Sequence, residues 1–195
     1  GRPDGRRGRS AGRPLTPPGR GPTAAGDGEH HLKAGSGPVP SRAMFVKICG
    51  ITSVEDALLA AGLGADAVGM IFAASSRRIS GAEARDIARR LPGGVVPVGV
   101  FRDERRERVV ELANSIGLRA VQLHGHESPE DTRWVADRVP LVIRAFAAGD
   151  PGLERLDEYG PVRILVDSAT PGSGQAFDWS ILDADRLGRP FILAG

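Results

Sequence analysis

The chain has 195 residues, 41% of them hydrophobic, a formal net charge of +2 and one cysteine. That length suits one domain with a buried core, and a lone cysteine excludes an internal disulfide or a cysteine-built zinc site and fits a reducing compartment. No run approaches the ~20 apolar residues of a membrane span.

The charge is unevenly spread. Residues 1–43 carry Arg2, Arg6, Arg7, Arg9, Arg13, Arg20, Lys33 and Arg42 against Asp4, Asp27 and Glu29, so the remainder is mildly acidic. That balance argues against a nucleic-acid-binding body. The same 43 residues are rich in Gly, Pro and Arg and show no apolar period. They are expected to be disordered, because they bury too little surface to offset the entropy of ordering. They contain no apolar segment of signal-peptide type, and the expectation is a non-functional extension ahead of Met44.

From Met44 onward strand and helix patterns alternate. The spacing predicts strands at Phe45–Cys49, Ala67–Phe72, Val95–Phe101, Ala120–His124, Leu141–Phe146, Val162–Asp167 and Phe191–Ala194. Thr52-x-x-Glu55 and Ser80-x-x-Glu83 read as capping boxes that open the first two helices. Val109, Val110, Leu112, Ala113 and Ile116 form the apolar face of a third, with Gly117 as its stop. Ser128-Pro129 and Asp150-Pro151 each place a capping residue before a proline at a helix start.

Such alternation implies a parallel sheet with helical crossovers. No Gly-x-Gly-x-x-Gly follows the first strand, which removes the main support for a dinucleotide-binding sheet. Polar residues close several strands (Cys49, Gln122, His124, Arg144 and Asp167), as in a barrel whose strand ends converge on one mouth. The expected fold is α/β, a TIM (β/α)8-type barrel over residues 44–195. Seven strands are found where a complete barrel has eight and about 250 residues, so strand eight and the last helices are expected to be missing.

Two strand ends carry the candidate chemistry. Side chains alternate along a strand, so Lys47 and Cys49 share a face expected to point into the barrel, while Val46 and Ile48 face the helices. A nearby cation and a helix N-terminus favour a thiolate. Arg163, Leu165 and Asp167 share a face likewise, and Asp167 opens the small, polar, glycine-rich segment Ser168–Gln175, which suits a loop over a site. One thiol and one carboxyl at strand ends suggest an acid–base pair. The competing readings are a cysteine that is only a small buried hydrophobe, a capping aspartate, a structural histidine at His124 and a solvated arginine at Arg77.

The motifs Lys47-Ile48-Cys49-Gly50-Ile51-Thr52, Gly69-Met70-Ile71-Phe72 with Ser75-Ser76-Arg77-Arg78-Ile79-Ser80, Val98-Gly99-Val100-Phe101, Val121-Gln122-Leu123-His124-Gly125, Leu165-Val166-Asp167-Ser168 with Gly172-Ser173-Gly174 and Phe177-Asp178-Trp179, and the closing Leu193-Ala194-Gly195 run in this order along the chain. Together they resemble the phosphoribosylanthranilate isomerase family of the tryptophan pathway. The resemblance implies an Amadori rearrangement of N-(5-phosphoribosyl)anthranilate. Asp167 matches the family's general acid, which protonates the ribose ring oxygen, and Cys49 its general base, which takes the proton from C2. Arg77 matches an arginine that pairs with the anthranilate carboxylate, a task that suits a planar guanidinium. Gln122 and His124 fall at pocket-lining positions, and Gly195 opens a phosphate-binding loop.

The resemblance requires no cofactor and no metal. It implies a small phosphorylated aminosugar as partner, neither nucleic acid nor membrane, a monomer or homodimer, and a cytoplasmic location. Two other readings stand beside it. One is a fragment of such an enzyme that is inactive, or active only when complemented, because most of the phosphate-binding loops are absent. The other is a neighbouring phosphate-binding barrel such as indole-glycerol-phosphate synthase, which would use lysines and glutamates and would not need Cys49.

Overall fold

The computed structural model describes residues 44–168 and 188–194. The extension 1–43, the glycine-rich segment after Ser168, the Phe177-Asp178-Trp179 motif and Gly195 lie outside the described residues. Among the described residues seven strands, β1 (Lys47–Cys49), β2 (Ala67–Ile71), β3 (Val96–Phe101), β4 (Ala120–Leu123), β5 (Val142–Ala147), β6 (Arg163–Asp167) and β7 (Phe191–Leu193), form one sheet in chain order. Every neighbouring pair is parallel. Helices α1 (Val54–Gly62), α2 (Gly81–Arg90), α3 (Arg106–Ile116) and α4 (Pro129–Ala136) and a 3-10 helix (Pro151–Tyr159) make the first five crossovers. Strand order that never reverses is the winding of a barrel, whereas a doubly wound sheet reverses at its switch point.

Side-chain alternation builds two separate cores. Ala67, Val98, Ala120, Ile143, Ala145 and Leu165 pack together with Val96, Leu141, Ile192 and Ala194. These come from strands two to seven, so the sheet must curl for them to meet, and this is the inner core. The intervening residues, among them Val68, Met70, Phe101, Val121, Leu123, Phe146 and Val166, pack against the helices. Phe101 is buried and stacks on Phe72 at 5.0 Å.

Among the described residues β1 pairs only with β2, and β7 only with β6. Val46 and Ile48 lie on the helix side as expected, but they are half exposed rather than covered. With Ile51, Leu59 and Leu63 they line an apolar groove of about 330 Å³.

The helix starts follow local chemistry, with one shift. Ser53, not Thr52, caps α1: its backbone is extended and its hydroxyl accepts from Asp56 N at 3.1 Å. The capping box of α2 forms as the spacing predicts. Ser80 Oγ accepts from Glu83 N at 3.3 Å, and Glu83 accepts from Ser80 N at 2.7 Å. Ser128 caps α4 ahead of Pro129, and α3 ends on Gly117 in the left-handed region. Asp150 accepts from Gly152 N at 2.7 Å, but the turn it opens is 3-10 and kinks at Arg155.

Candidate active site

Cys49 and Asp167 end β1 and β6, on the face that lines the inner core. The register sets this: Lys47 pairs with Ala67 and Cys49 with Gly69 on one side of the barrel, and Leu165 pairs with Ala145 and Asp167 with Ala147 on the other. Paired residues share a face, and Ala67, Ala145 and Leu165 are inner-core residues. Both chemical groups therefore sit at the C-terminal mouth, where barrel enzymes place their chemistry. The Cys49 residue is exposed, so it is not the small buried hydrophobe of the alternative reading.

Gly69 makes the room for this. A Cβ on Gly69 would lie 2.8 Å from Cys49 Sγ and 3.0 Å from Lys47 Nζ. The thiol and the ammonium thus share the space that a missing side chain leaves. The positive charge of Lys47 also reaches across the barrel to Asp167, where it favours the carboxylate. Alternation along β1 puts Lys47 inside; its link to Asp167 becomes visible only once the sheet is curled.

Asp167 is buried and richly supplied with donors. One oxygen accepts from Ser168 N at 2.7 Å, and the other lies 3.4 Å from His124 Nε2. His124 Nδ1 lies 2.9 Å from the Gln122 amide nitrogen. An amide nitrogen only donates, so Nδ1 accepts and the proton of the neutral ring sits on Nε2, the nitrogen beside Asp167. The interaction with His124 is the chief reason the Asp167 pKa is lowered; burial opposes it, and Ser168 N and the charge of Lys47 reinforce it. Gln122 itself is buried, and its Oε1 has no partner among the described residues.

Arg77 is exposed, and its Nη1 donates to Cys49 O at 3.3 Å at the end of β1. Gly50 permits the approach. Its φ is +86°, and a Cβ there would lie 2.6 Å from Arg77 Nη1. The guanidinium thus lies beside the backbone of Cys49.

One strand-end residue is misassigned by the sequence reading. Arg144 does not reach the mouth. It alternates with Ile143 and Ala145 of the inner core, and its guanidinium stacks outside the sheet on Phe146 at 4.8 Å and Tyr159 at 5.6 Å. Among the described residues no group of three or more His, Cys, Asp or Glu side chains is placed to hold a metal ion, and no helix is long and apolar enough to cross a membrane.

The model of the N-(5'-phosphoribosyl)anthranilate (PRA) isomerase family matches residues 46–195. The N-(5'-phosphoribosyl)anthranilate isomerase of Desulforudis audaxviator is 45% identical over 158 residues, covering 77% of this chain and 76% of that one. The crystal structure of phosphoribosyl anthranilate isomerase from Thermotoga maritima superposes with a TM-score of 0.71 at 45% identity, covering 78% of this chain and 77% of that one. A crystal structure of the isomerase bound to reduced 1-(o-carboxyphenylamino)-1-deoxyribulose 5-phosphate has a TM-score of 0.67 at 42% identity, covering 78% and 76%.

Proposed function

Since the chain belongs to the N-(5'-phosphoribosyl)anthranilate isomerase family, we propose that it converts N-(5'-phosphoribosyl)anthranilate to 1-(o-carboxyphenylamino)-1-deoxyribulose 5-phosphate, the aldose–ketose rearrangement of tryptophan biosynthesis. The observation that carries this reading is the convergence of one thiol and one carboxyl, from strands at opposite sides of the curled sheet, on a single mouth with Lys47 between them.

In this reading Asp167 gives a proton to the ribose ring oxygen. The C1–O bond breaks as the anilino nitrogen forms a C1=N double bond. The Cys49 thiolate then removes the C2 proton, and the electron pair moves into C1=C2 to give an enolamine. O2 loses its proton as C1 gains one, which leaves the ketone. Each proton-transfer group supplies roughly 10²–10⁴ in rate. Arg77 holds the anthranilate carboxylate through its paired N–H groups, and His124 lines the pocket beside the acid.

The lowered pKa of Asp167 is compatible with an acid role. Protonated Asp167 with a Cys49 thiolate holds as many protons as the carboxylate with a thiol. The reactive pair is then a fixed fraction of the protein across the plateau of the pH profile, and the acid limb follows Asp167.

The test is direct. The purified 195-residue chain is incubated with N-(5'-phosphoribosyl)anthranilate and product is measured. Turnover that falls by about 10²–10⁴-fold in Cys49→Ser supports the reading; turnover unchanged by that substitution overturns it.

A further inference from the structure

Behind the mouth, on the helix side of the sheet, Arg144 and Glu127 form a buried ion pair. Their side chains are 4% and 7% exposed, and Arg144 Nη1 lies 3.5 Å from Glu127 Oε2. No step of the proposed reaction uses either group, yet burying two charges is costly and is tolerated when every remaining valence is occupied. Here nearly all are. Arg144 Nη1 donates to Leu123 O at 3.0 Å and also to Ala145 O. Arg144 Nη2 donates to Gly125 O at 3.0 Å and Glu127 O at 3.3 Å. Glu127 Oε2 accepts from Gly125 N at 2.9 Å, and Oε1 from Asp103 N at 3.0 Å.

These partners fall at particular places. Leu123 and Gly125 are the two neighbours of His124, and the ion pair grips the carbonyl of each and the N–H of Gly125. His124 N is itself fixed to Phe101 O at 2.9 Å. The peptide that carries the imidazole is therefore clamped on both sides by a charged pair on the helix side of the sheet. Through Asp103 the clamp also takes in the turn after β3, where the Asp103 carboxylate accepts from His126 N at 2.6 Å.

We propose that Arg144 and Glu127 are positioning residues that hold the His124 peptide so that Nε2 stays beside the Asp167 carboxylate. The proposal rests on the isomerase reading for its catalytic consequence, but the placement of the imidazole is testable without turnover. An imidazole freed by about 1 Å weakens the donation to Asp167, and displacements of that size cost up to ~10² in rate. Lysine in place of Arg144 keeps the charge but has one point of donation where the guanidinium reaches four carbonyls.

Two readouts on the full chain decide it. In the first, ¹⁵N NMR of labelled histidine reports the His124 tautomer in the parent chain, Arg144→Lys and Glu127→Gln. A shift of either variant away from the Nε2–H form supports the proposal; unchanged His124 nitrogens in both folded variants overturn it. In the second, kcat and KM are followed against pH. The groups acting on the Asp167 carboxyl are His124, Lys47 and Ser168 N, with Cys49 at the same mouth, and neither Arg144 nor Glu127 is among them. The expected result is a fall in kcat of roughly 10–100-fold with an acid limb moved upward, and no further movement when Arg144→Lys is added to His124→Asn. An acid limb that stays in place, with losses that track the melting temperature alone, overturns it. Absence of turnover in the parent chain overturns the isomerase reading, and the NMR result still decides the clamp.

Discussion

His124 Nε2 lies 3.4 Å from Asp167 Oδ2, and this contact is the chief reason the Asp167 pKa is lowered. The donated hydrogen bond is stronger to a carboxylate than to a neutral carboxyl, so it holds the Asp167 pKa down. His124→Ala removes the donor while burial, which acts in the opposite sense, remains. The acid limb of kcat/KM is therefore expected to move to higher pH in this variant, which a pH–rate profile checks. The stability sign agrees. A carboxyl whose folded pKa is depressed contributes stability above its unfolded pKa of ~3.9 and loses it as pH falls through the folded value. Acid unfolding of His124→Ala should accordingly begin at higher pH than in the parent chain.

Lys47 acts on both Cys49 and Asp167. Its charge lowers the Asp167 pKa, and its ammonium shares the Gly69 niche with Cys49 Sγ. Lys47→Met is expected to raise the acid limb as His124→Ala does, and Lys47→Arg to restore it partly. Because the Lys47 contribution is Coulombic, the difference between parent and Lys47→Met should shrink in high salt. A salt-independent difference would assign Lys47 a packing role instead.

Gly69→Ala tests the niche itself. The added methyl would come within 3.0 Å of both Sγ and Nζ, and both must move. Displacing a catalytic group by ~1 Å costs up to ~10² in rate, so activity should fall steeply. The Lys47 side chain can swing aside, so the melting temperature should change much less. Comparison of kcat/KM with thermal melts separates the two effects.

Much of this was legible before the chain was folded. The strand alternation of Lys47 with Cys49, and of Leu165 with Asp167, placed the chemistry on the inner face, and the Ser80–Glu83 spacing fixed the start of α2. What escaped was what depends on residues distant in sequence. Arg144 lies in the middle of β5 rather than at its end, and one step of alternation from Ile143 and Ala145 sends it to the helix side, where Phe146 and Tyr159 take its guanidinium. Glu127 gave no signal, because its partners are backbone groups of a turn and the N–H of Asp103. At α1 two adjacent hydroxyl residues compete for the cap, and the backbone chooses Ser53.

The α2 capping box makes a prediction about stability alone. Ser80→Ala removes the acceptor for Glu83 N and unpairs the reciprocal bond to Ser80 N. The loss should be about 1 kcal/mol, or roughly 2–4 °C in melting temperature for a domain of this size. Kinetic constants should change much less than stability, since the bonds lost with Ser80 Oγ lie within the start of α2.

The convergence of Cys49 and Asp167 is tested most directly by kcat/KM of the isomerisation in Cys49→Ala, Asp167→Asn and the double variant. Groups that act as a unit are non-additive. Each single variant should lose about 10²–10⁴-fold, and the double should be little worse than the poorer single. Losses that multiply, or a single variant that keeps the parent rate, would contradict a shared mouth in which one group opens the sugar and the other takes its proton.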